Sequence, residues 1–277
     1  APADLVAALH GWPMAGPGDE PCALIGMPVA VDAMPVAVPL PAESGRHISI
    51  VGSGDGPGDA TYSAGAVLLQ TAAISLGHQH PAGTARFVVL DLLSSRSPDQ
   101  EVVTELVSTL AVLGHRAERC KADRLVETLA DLGGEISERR QGEDDPPTYL
   151  VAFGMDRAPN LRNPDPTTFT QPIDALHALW CEGSTVGMHV LGWWGNVRSY
   201  RDHLGMEAEG AVDALVLLRI SGQDAVDLLG PFVHWAGAPN RALVRDIAEA
   251  SEPRVVIPFA AVSSDDVDRI STLRDPR

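Results

Sequence analysis

Along the chain, short apolar runs bounded by glycine, proline or charge alternate with longer stretches of mixed polarity. The runs at 47–51, 86–91, 148–153, 187–193, 212–219 and 253–259 are short enough, and apolar enough throughout, to predict strands buried on both faces. The stretches at 60–76, 99–113, 121–140, 173–182, 197–204 and 222–229 predict helices, and 115–120 reads as a short extended piece. Strands of this kind alternating with helices imply a mainly parallel central sheet with helices on both faces, a three-layer α/β architecture. Two β-like runs at 23–31 and 34–40 are broken by prolines, which suit an edge hairpin rather than central strands. The first 21 residues read as a brief helix over "DLVAALHGW" and then a loose linker rich in Pro, Gly and acid. The expected organisation is therefore a helix and linker over 1–21 and a single domain over 22–277, without internal repeats.

Composition narrows the function classes. With 277 residues and 45% hydrophobic content the chain can bury a sizeable core. No apolar run reaches the ~18–20 residues that span a bilayer, so no membrane segment is expected in this chain. The cysteines Cys22, Cys120 and Cys181 lie far apart without C-x-x-C spacing, which speaks against a disulfide scaffold or thiolate zinc site and makes a reducing cytoplasm the default location. The start at Ala1, with no initiator Met, leads to the expectation of a processed start or of a piece of a longer polypeptide. A formal charge of −17 opposes non-specific nucleic-acid binding, leaving DNA contact only to a ring or to a local arginine patch. The candidate patch is "HRAERCKADR" (115–124) with Arg139 and Arg140.

The segment Val51-Gly-Ser-Gly-Asp-Gly-Pro-Gly-Asp-Ala60 lies between a predicted strand and a predicted helix, the layout of a phosphate-binding loop. A working loop reads G-x-x-x-x-G-K-[ST]: backbone N–H groups cradle the phosphates, Lys reaches the β- and γ-phosphates, and the hydroxyl ligates Mg²⁺. Here Gly52 and Gly58 are one residue too far apart, Asp59 stands in the Lys slot and Ala60 in the hydroxyl slot. Asp55, between Gly54 and Gly56, adds a second negative charge. An anion placed ~4 Å from a phosphate at an effective dielectric of about 20 turns attraction into repulsion of about 4 kcal/mol. The only lysine is Lys121, and the loop contains no arginine. A dinucleotide G-x-G-x-x-G also fails, because Pro57 or Asp59 takes the third glycine position, and no G-x-S-x-G elbow is present.

Six stretches in order resemble the FtsK/SpoIIIE group of RecA-like motor ATPases, relatives of the HerA and type VII secretion ATPases. "SGRHISIVGSG" resembles the entry into the family's nucleotide loop, and "ARFVVLDLLS" its second core strand, ending here at Asp91. "LVETLADLGGEISERRQ" is similar to the helix before the Walker B strand, and "PPTYLVAFGMDRAPNL" to that strand itself. "STVGMHVLGWWGN" is similar to the sensor strand, and "VDALVLLRISGQDAVDLLG" to the strand and helix after it. The resemblance covers roughly 22–259 and implies a RecA-like P-loop NTPase fold, with ATP and Mg²⁺ as the family's cofactors.

The departures fall at the chemistry. Where the family has a Walker B Asp for Mg²⁺ and a Glu for the attacking water, this chain has Met155 and Asp156. A thioether is a poor ligand for a hard cation. The sensor strand ends in Trp193, Trp194, Gly195 and Asn196 in place of the polar reporter of the γ-phosphate. The expectation is a degenerate copy without catalytic residues, metal or bound cofactor, serving as a C-terminal structural or regulatory module beside other domains or copies of a motor. The alternative is a functional ATP-binding translocase domain with an atypical loop, or one lending an arginine to a neighbour.

Smaller features carry blander readings. The acidic "QGEDDPP" (141–147) reads as a solvated turn, and His78 and His80 as a solvated pair after a helix rather than metal ligands. His189 reads as a packed core residue. The Trp193–Trp194 pair is either ordinary packing or a partner-binding platform at the end of a strand.

Overall fold

A computed structural model describes residues 3–14, 20–29, 34–56, 61–142, 145–164, 169–249 and 252–274. Its parallel core is built from β3 (Ile48–Val51), β4 (Arg86–Asp91), β5 (Arg116–Lys121), β6 (Thr148–Phe153), β7 (Met188–Trp194) and β8 (Ala214–Leu217). These pair in the order β8-β3-β7-β6-β4-β5, every neighbour parallel. The resemblance implied a RecA-like core, and this order agrees with it.

The sheet continues antiparallel beyond β8 through β9 (Ala242–Asp246), β10 (Arg254–Pro258), β1 (Cys22–Pro28) and β2 (Val36–Pro39). The hairpin β1–β2 matches the predicted lead-in, but β1 is flanked by β10 as well as β2, so only β2 is an edge. The other edge, β5, carries charge at four of its six positions, a composition that discourages further strand pairing. The sequence pattern over 242–246 does not predict β9. It is short and follows a Gly/Pro-rich loop, and its ladder with β8 comes from a segment more than 20 residues earlier in the chain. The predicted strand 253–259 is β10 and pairs antiparallel, not within the parallel core.

Helices cover both faces. On one side lie α1 (Leu5–His10), α2 (Ala64–Gln79), α3 (Asp99–Val112) and α8 (Ser264–Arg274). The opposite side holds α4 (Leu125–Arg140), α5 (Pro172–Glu182), α6 (Val197–Leu204) and α7 (Gly222–Leu229). The sequence pattern does not predict α8: its first turn carries Asp265 and Asp266, while Val267 and Ile270 are buried and Leu273 packs against the core. Helix α2, "AGAVLLQTAAISLGHQ", is mainly apolar with its few polar residues scattered rather than on one face, and every one of its residues is buried. It lies under α3 and against β1, where Ser75 Oγ accepts the Leu24 N–H at 2.9 Å and the Gln79 amide takes both backbone groups of Cys22. His78 and His80 at its end are buried as well, not solvated as expected.

The chain leaves β3 into α2 on one face and leaves β7 into α6 on the other. The carboxyl ends of β3 and β7 therefore border the crevice at which ligands meet open α/β sheets.

Candidate functional site

At this crevice the glycine loop leaves β3. Gly52 donates to Trp194 O at 2.9 Å and Ser53 exchanges backbone bonds with Arg219, so β7 and the end of β8 grip the loop's root. Gly52 and Gly54 have φ of 116° and 149°, conformations that side chains resist. Gly58, Asp59 and Ala60 lie outside the described residues. The loop runs on to Ser63, the N-cap of α2, so the helix starts at Ala64 rather than at 60. The first helical residues are thus Ala64 and Gly65, which supply neither a cation nor a hydroxyl.

Three described donors between Gly56 and Ala64 bond within the protein. Gly56 N–H bonds Tyr62 O, Ala64 N–H bonds Gly54 O at 2.9 Å, and Ser63 N–H bonds a carboxylate oxygen of Asp99 at 2.7 Å. The same carboxylate accepts the Ser63 hydroxyl at 2.8 Å. Beneath the loop lies Trp193. Its Nε1 donates to Gly52 O at 3.0 Å, and its indole occupies the space a Cβ at Gly65 would need. The indole thereby fills the gap between β7 and the first turn of α2.

Trp194 turns to the other face, packing with Trp180 and Tyr200 at centroid distances of 5.8 and 5.2 Å and donating to His203. Both indoles are buried, so the pair packs the two layers and offers no platform to a partner.

The remaining sequence candidates gather at the same edge. Met155 is buried in the core under a left-handed Gly154. Asp156 accepts the Gly195 N–H at 2.9 Å, which ties the end of β6 to the end of β7. Asn196 caps α6 through Ser199 N–H at 2.8 Å. These three residues are engaged in structure the chain needs locally.

Sequence reasoning missed two residues. Asp99 reaches the head of α2 from the start of α3. Arg219 brings a cation beside a loop that has none of its own: its backbone pairs with Ser53, its stem lies over Gly237, and its side chain is exposed. The strand order would have found Arg219, because β8 is β3's neighbour and Arg219 lies two residues past its end.

The proposed arginine patch is largely neutralised by acids. Arg116 pairs with Glu118, Arg124 with Glu118 and Glu127, and Arg140 with Glu182. Arg139 is buried, bonded to Glu135, Thr148 and backbone carbonyls. Asp91, with a fully buried side chain, holds Arg119 at 2.7 Å and Lys121 at 3.7 Å and also accepts from Gln100.

At the other end of the strands, His47 accepts the Val190 N–H on Nδ1 and faces Trp180 O with Nε2. Burial, and after it the nearby His189, pushes its pKa down to about 3. Burial likewise lowers His189 to about 4, its Nδ1 lying 2.8 Å from Arg46 O. Both are structural, as expected for His189.

An open groove of about 680 Å³ lies between α4 and α5, its apolar lining made by Val126, Ala130, Gly133, Pro172, Ala175 and Ala178. Among the described residues no helix is long and apolar enough to cross a membrane.

No family model matches the chain, and neither does any curated protein. Solved structures do match. The cytoplasmic domain of the type VII secretion ATPase EccC of Thermomonospora curvata superposes with a TM-score of 0.67 at 14% identity, over 100% of this chain and 35% of that one. ATPases 2 and 3 of the same EccC, in complex with a signal sequence peptide, give 0.60 at 16%, over 92% and 46%. The pCW3 conjugation coupling protein TcpA, in its monomer form with ATPγS, gives 0.58 at 12%, over 95% and 74%. The chain spans less than half the length of the secretion ATPases it matches. At such identities the likeness shows the fold: this chain has the three-layer, RecA-like fold of FtsK/SpoIIIE-type motor ATPase domains.

Proposed function

We propose that this chain is a degenerate FtsK/SpoIIIE-like module which serves a larger translocase or secretion-type ATPase as a structural or regulatory part, on the cytoplasmic side, beside other domains or copies of the motor. One observation carries the reading: at the head of α2, where a nucleotide's phosphates would be cradled, the protein's own groups take the Ser63 and Ala64 N–H donors and the space beside Gly65. Asp99 holds Ser63, Gly54 O holds Ala64 N–H, and the Trp193 indole lies against Gly65.

The residues present do not fit ATP with Mg²⁺. Ala64 and Gly65 offer no lysine or hydroxyl, Met155 is a buried thioether in the metal slot, and Asp156 is bonded to Gly195. No hydrolytic step is assigned to this chain. The test is the melting temperature with and without millimolar ATP and Mg²⁺. No shift is expected, whereas a rise of several degrees, as linkage demands of a ligand far above its Kd, favours the atypical ATP-binding reading.

A second reading rests on the α4–α5 groove. One structurally similar EccC fragment is in complex with a signal sequence peptide, and an apolar, open groove of this size suits apolar side chains of a peptide. In this reading the module receives a substrate's or neighbouring domain's peptide segment. Filling the groove by Ala130→Trp then abolishes retention of apolar-anchored peptides from a displayed library. Equal retention by both proteins counts against it.

A further inference from the structure

We propose that Arg219, Arg241 and the loop 230–240 that leads into Arg241 form a docking surface for an acidic segment of a partner protein, one that carries an apolar side chain among its carboxylates. The proposal stands on this surface alone, whatever the glycine loop binds. In this acidic chain most arginines are held by a carboxylate. Among the described side chains, those without a carboxylate in ion-pair range are Arg96, Arg162, Arg219, Arg241, Arg245 and Arg254, and the last four all come from the stretch between the end of β8 and β10. The ladder of β8 with β9 pairs Leu217 with Leu243, so two residues beyond each of these Arg219 and Arg241 come level at the end of the sheet. Arg245 donates to Leu229 O at the end of α7, and Arg254 stands one strand further out, beside Val244. The acids nearby are occupied: Asp224 accepts the Ser221 hydroxyl at 2.6 Å, Asp227 pairs with Arg201 at 3.4 Å, and Asp246 is held by Arg46. Arg219 is exposed and Arg241 half-buried, with one nitrogen on Asn240 O at 2.8 Å.

The loop beside them is pinned. Trp235 is buried and its Nε1 donates to Leu218 O at 2.7 Å, while Gly237, at a φ of 73°, lies so close that a Cβ there would meet the Arg219 Cα at 2.7 Å. Phe232, three residues before Trp235 and so within about 10 Å of it, is nevertheless 93% exposed, the highest value among the described large apolar side chains. An aromatic ring held out to solvent beside arginines that lack counter-charges is the composition of the energetic centre of an interface. Carboxylates suit it, because a guanidinium fork takes a carboxylate through two parallel N–H bonds. The net charge of −17 repels acidic partners at long range, but at physiological salt charges beyond about 8 Å are screened and the local cations decide. A nucleic acid gains affinity with each phosphate neutralised and would have to run on across the acidic remainder of the surface. A short acidic segment meets the two arginines and stops, and its apolar side chain covers Phe232.

The probes are short peptides selected from a displayed library on the wild-type protein, then labelled and measured by fluorescence anisotropy. Sequences rich in Asp and Glu with an apolar residue should be enriched. Their affinity should fall about tenfold or more in the double variant Arg219→Gln with Arg241→Gln, and likewise in Phe232→Ser. Glutamine keeps much of the stem over Gly237 and none of the three side chains is buried, so melting temperatures should match wild type. Arg198→Gln, which removes an exposed arginine on α6, and Ala130→Trp, which fills the α4–α5 groove, should bind these peptides as wild type does. Enriched peptides without an excess of acid, or affinities that the double variant leaves unchanged, overturn the proposal. So does a single-stranded oligothymidylate that binds at physiological salt and is lost in the same variants, because the surface then serves nucleic acid. A wild-type dimer that the double variant dissociates overturns it as well, because the occupant is then a second copy.

Discussion

Replacing Gly65 by alanine drives a methyl group into the Trp193 indole. Overpacking of this kind costs about 1–3 kcal/mol, so Gly65→Ala should lower the midpoint of urea unfolding without changing its slope. The converse, Trp193→Ala, empties the gap between β7 and α2 and should cost about 3–5 kcal/mol by the same measurement. The glycine was legible in sequence as part of a helix start, but not its reason, because the indole it meets is brought by a strand far along the chain. A second effect at this scale is acid lability. His47 and His189 are held neutral in the folded state, with pKa values of about 3 and about 4, against the ordinary imidazole value of 6.5. Between those values the unfolded chain binds protons that the native one does not, so stability is whole above pH ~6.5 and falls as pH drops toward 4. Chemical denaturation at pH 7.5, 6, 5 and 4 measures it; His47→Gln, which keeps an amide donor and acceptor, should flatten the curve.

Between elements, one buried ion pair joins the antiparallel extension to the parallel core. Arg46, just before β3, makes a bidentate contact with Asp246 at the end of β9, at 2.8 and 2.9 Å, and also donates to Pro39 O at the end of β2. Both side chains are buried, and removing Asp246 leaves the Arg46 guanidinium with only Pro39 O and the more distant Asp213 carboxylate at 3.9 Å. Asp246→Asn should therefore destabilise by about 3–5 kcal/mol in equilibrium unfolding, while Arg46→Met with Asp246→Leu together recovers much of that loss. The elements themselves were mostly readable: apolar runs of strand length and a mainly apolar helix without a polar face need a particular burial whatever surrounds them. Their boundaries and partners were less so. The predicted helix start at 60 moved to Ala64 because Ser63 is claimed by Asp99 from α3. Strand β9 and helix α8 carry short or mainly polar patterns, and they form because β8 and β10, or the body of the core, are in place to receive them.

At the scale of the whole molecule, the fold is that of a motor ATPase domain while the groups at its crevice bond to one another. The chain should neither hydrolyse ATP nor respond to it thermally. It should bind duplex DNA only at low salt, since its charge is −17 and its central arginines are paired with acids. A filter-binding series from 50 to 200 mM salt measures that last expectation. By itself, the sequence determined the alternation of strands and helices, the excess of acid, and the want of a lysine beside the glycine loop, because periodicity, composition and absence are local properties. Only the tertiary structure decided that Trp193 lies under the loop, that Asp99 holds the N-cap Ser63, that Arg219 flanks Ser53, and that four antiparallel strands extend the core. Each of these joins segments distant in sequence, and such meetings are set by how buried surfaces and hydrogen-bonding groups satisfy one another in three dimensions, which no local pattern encodes.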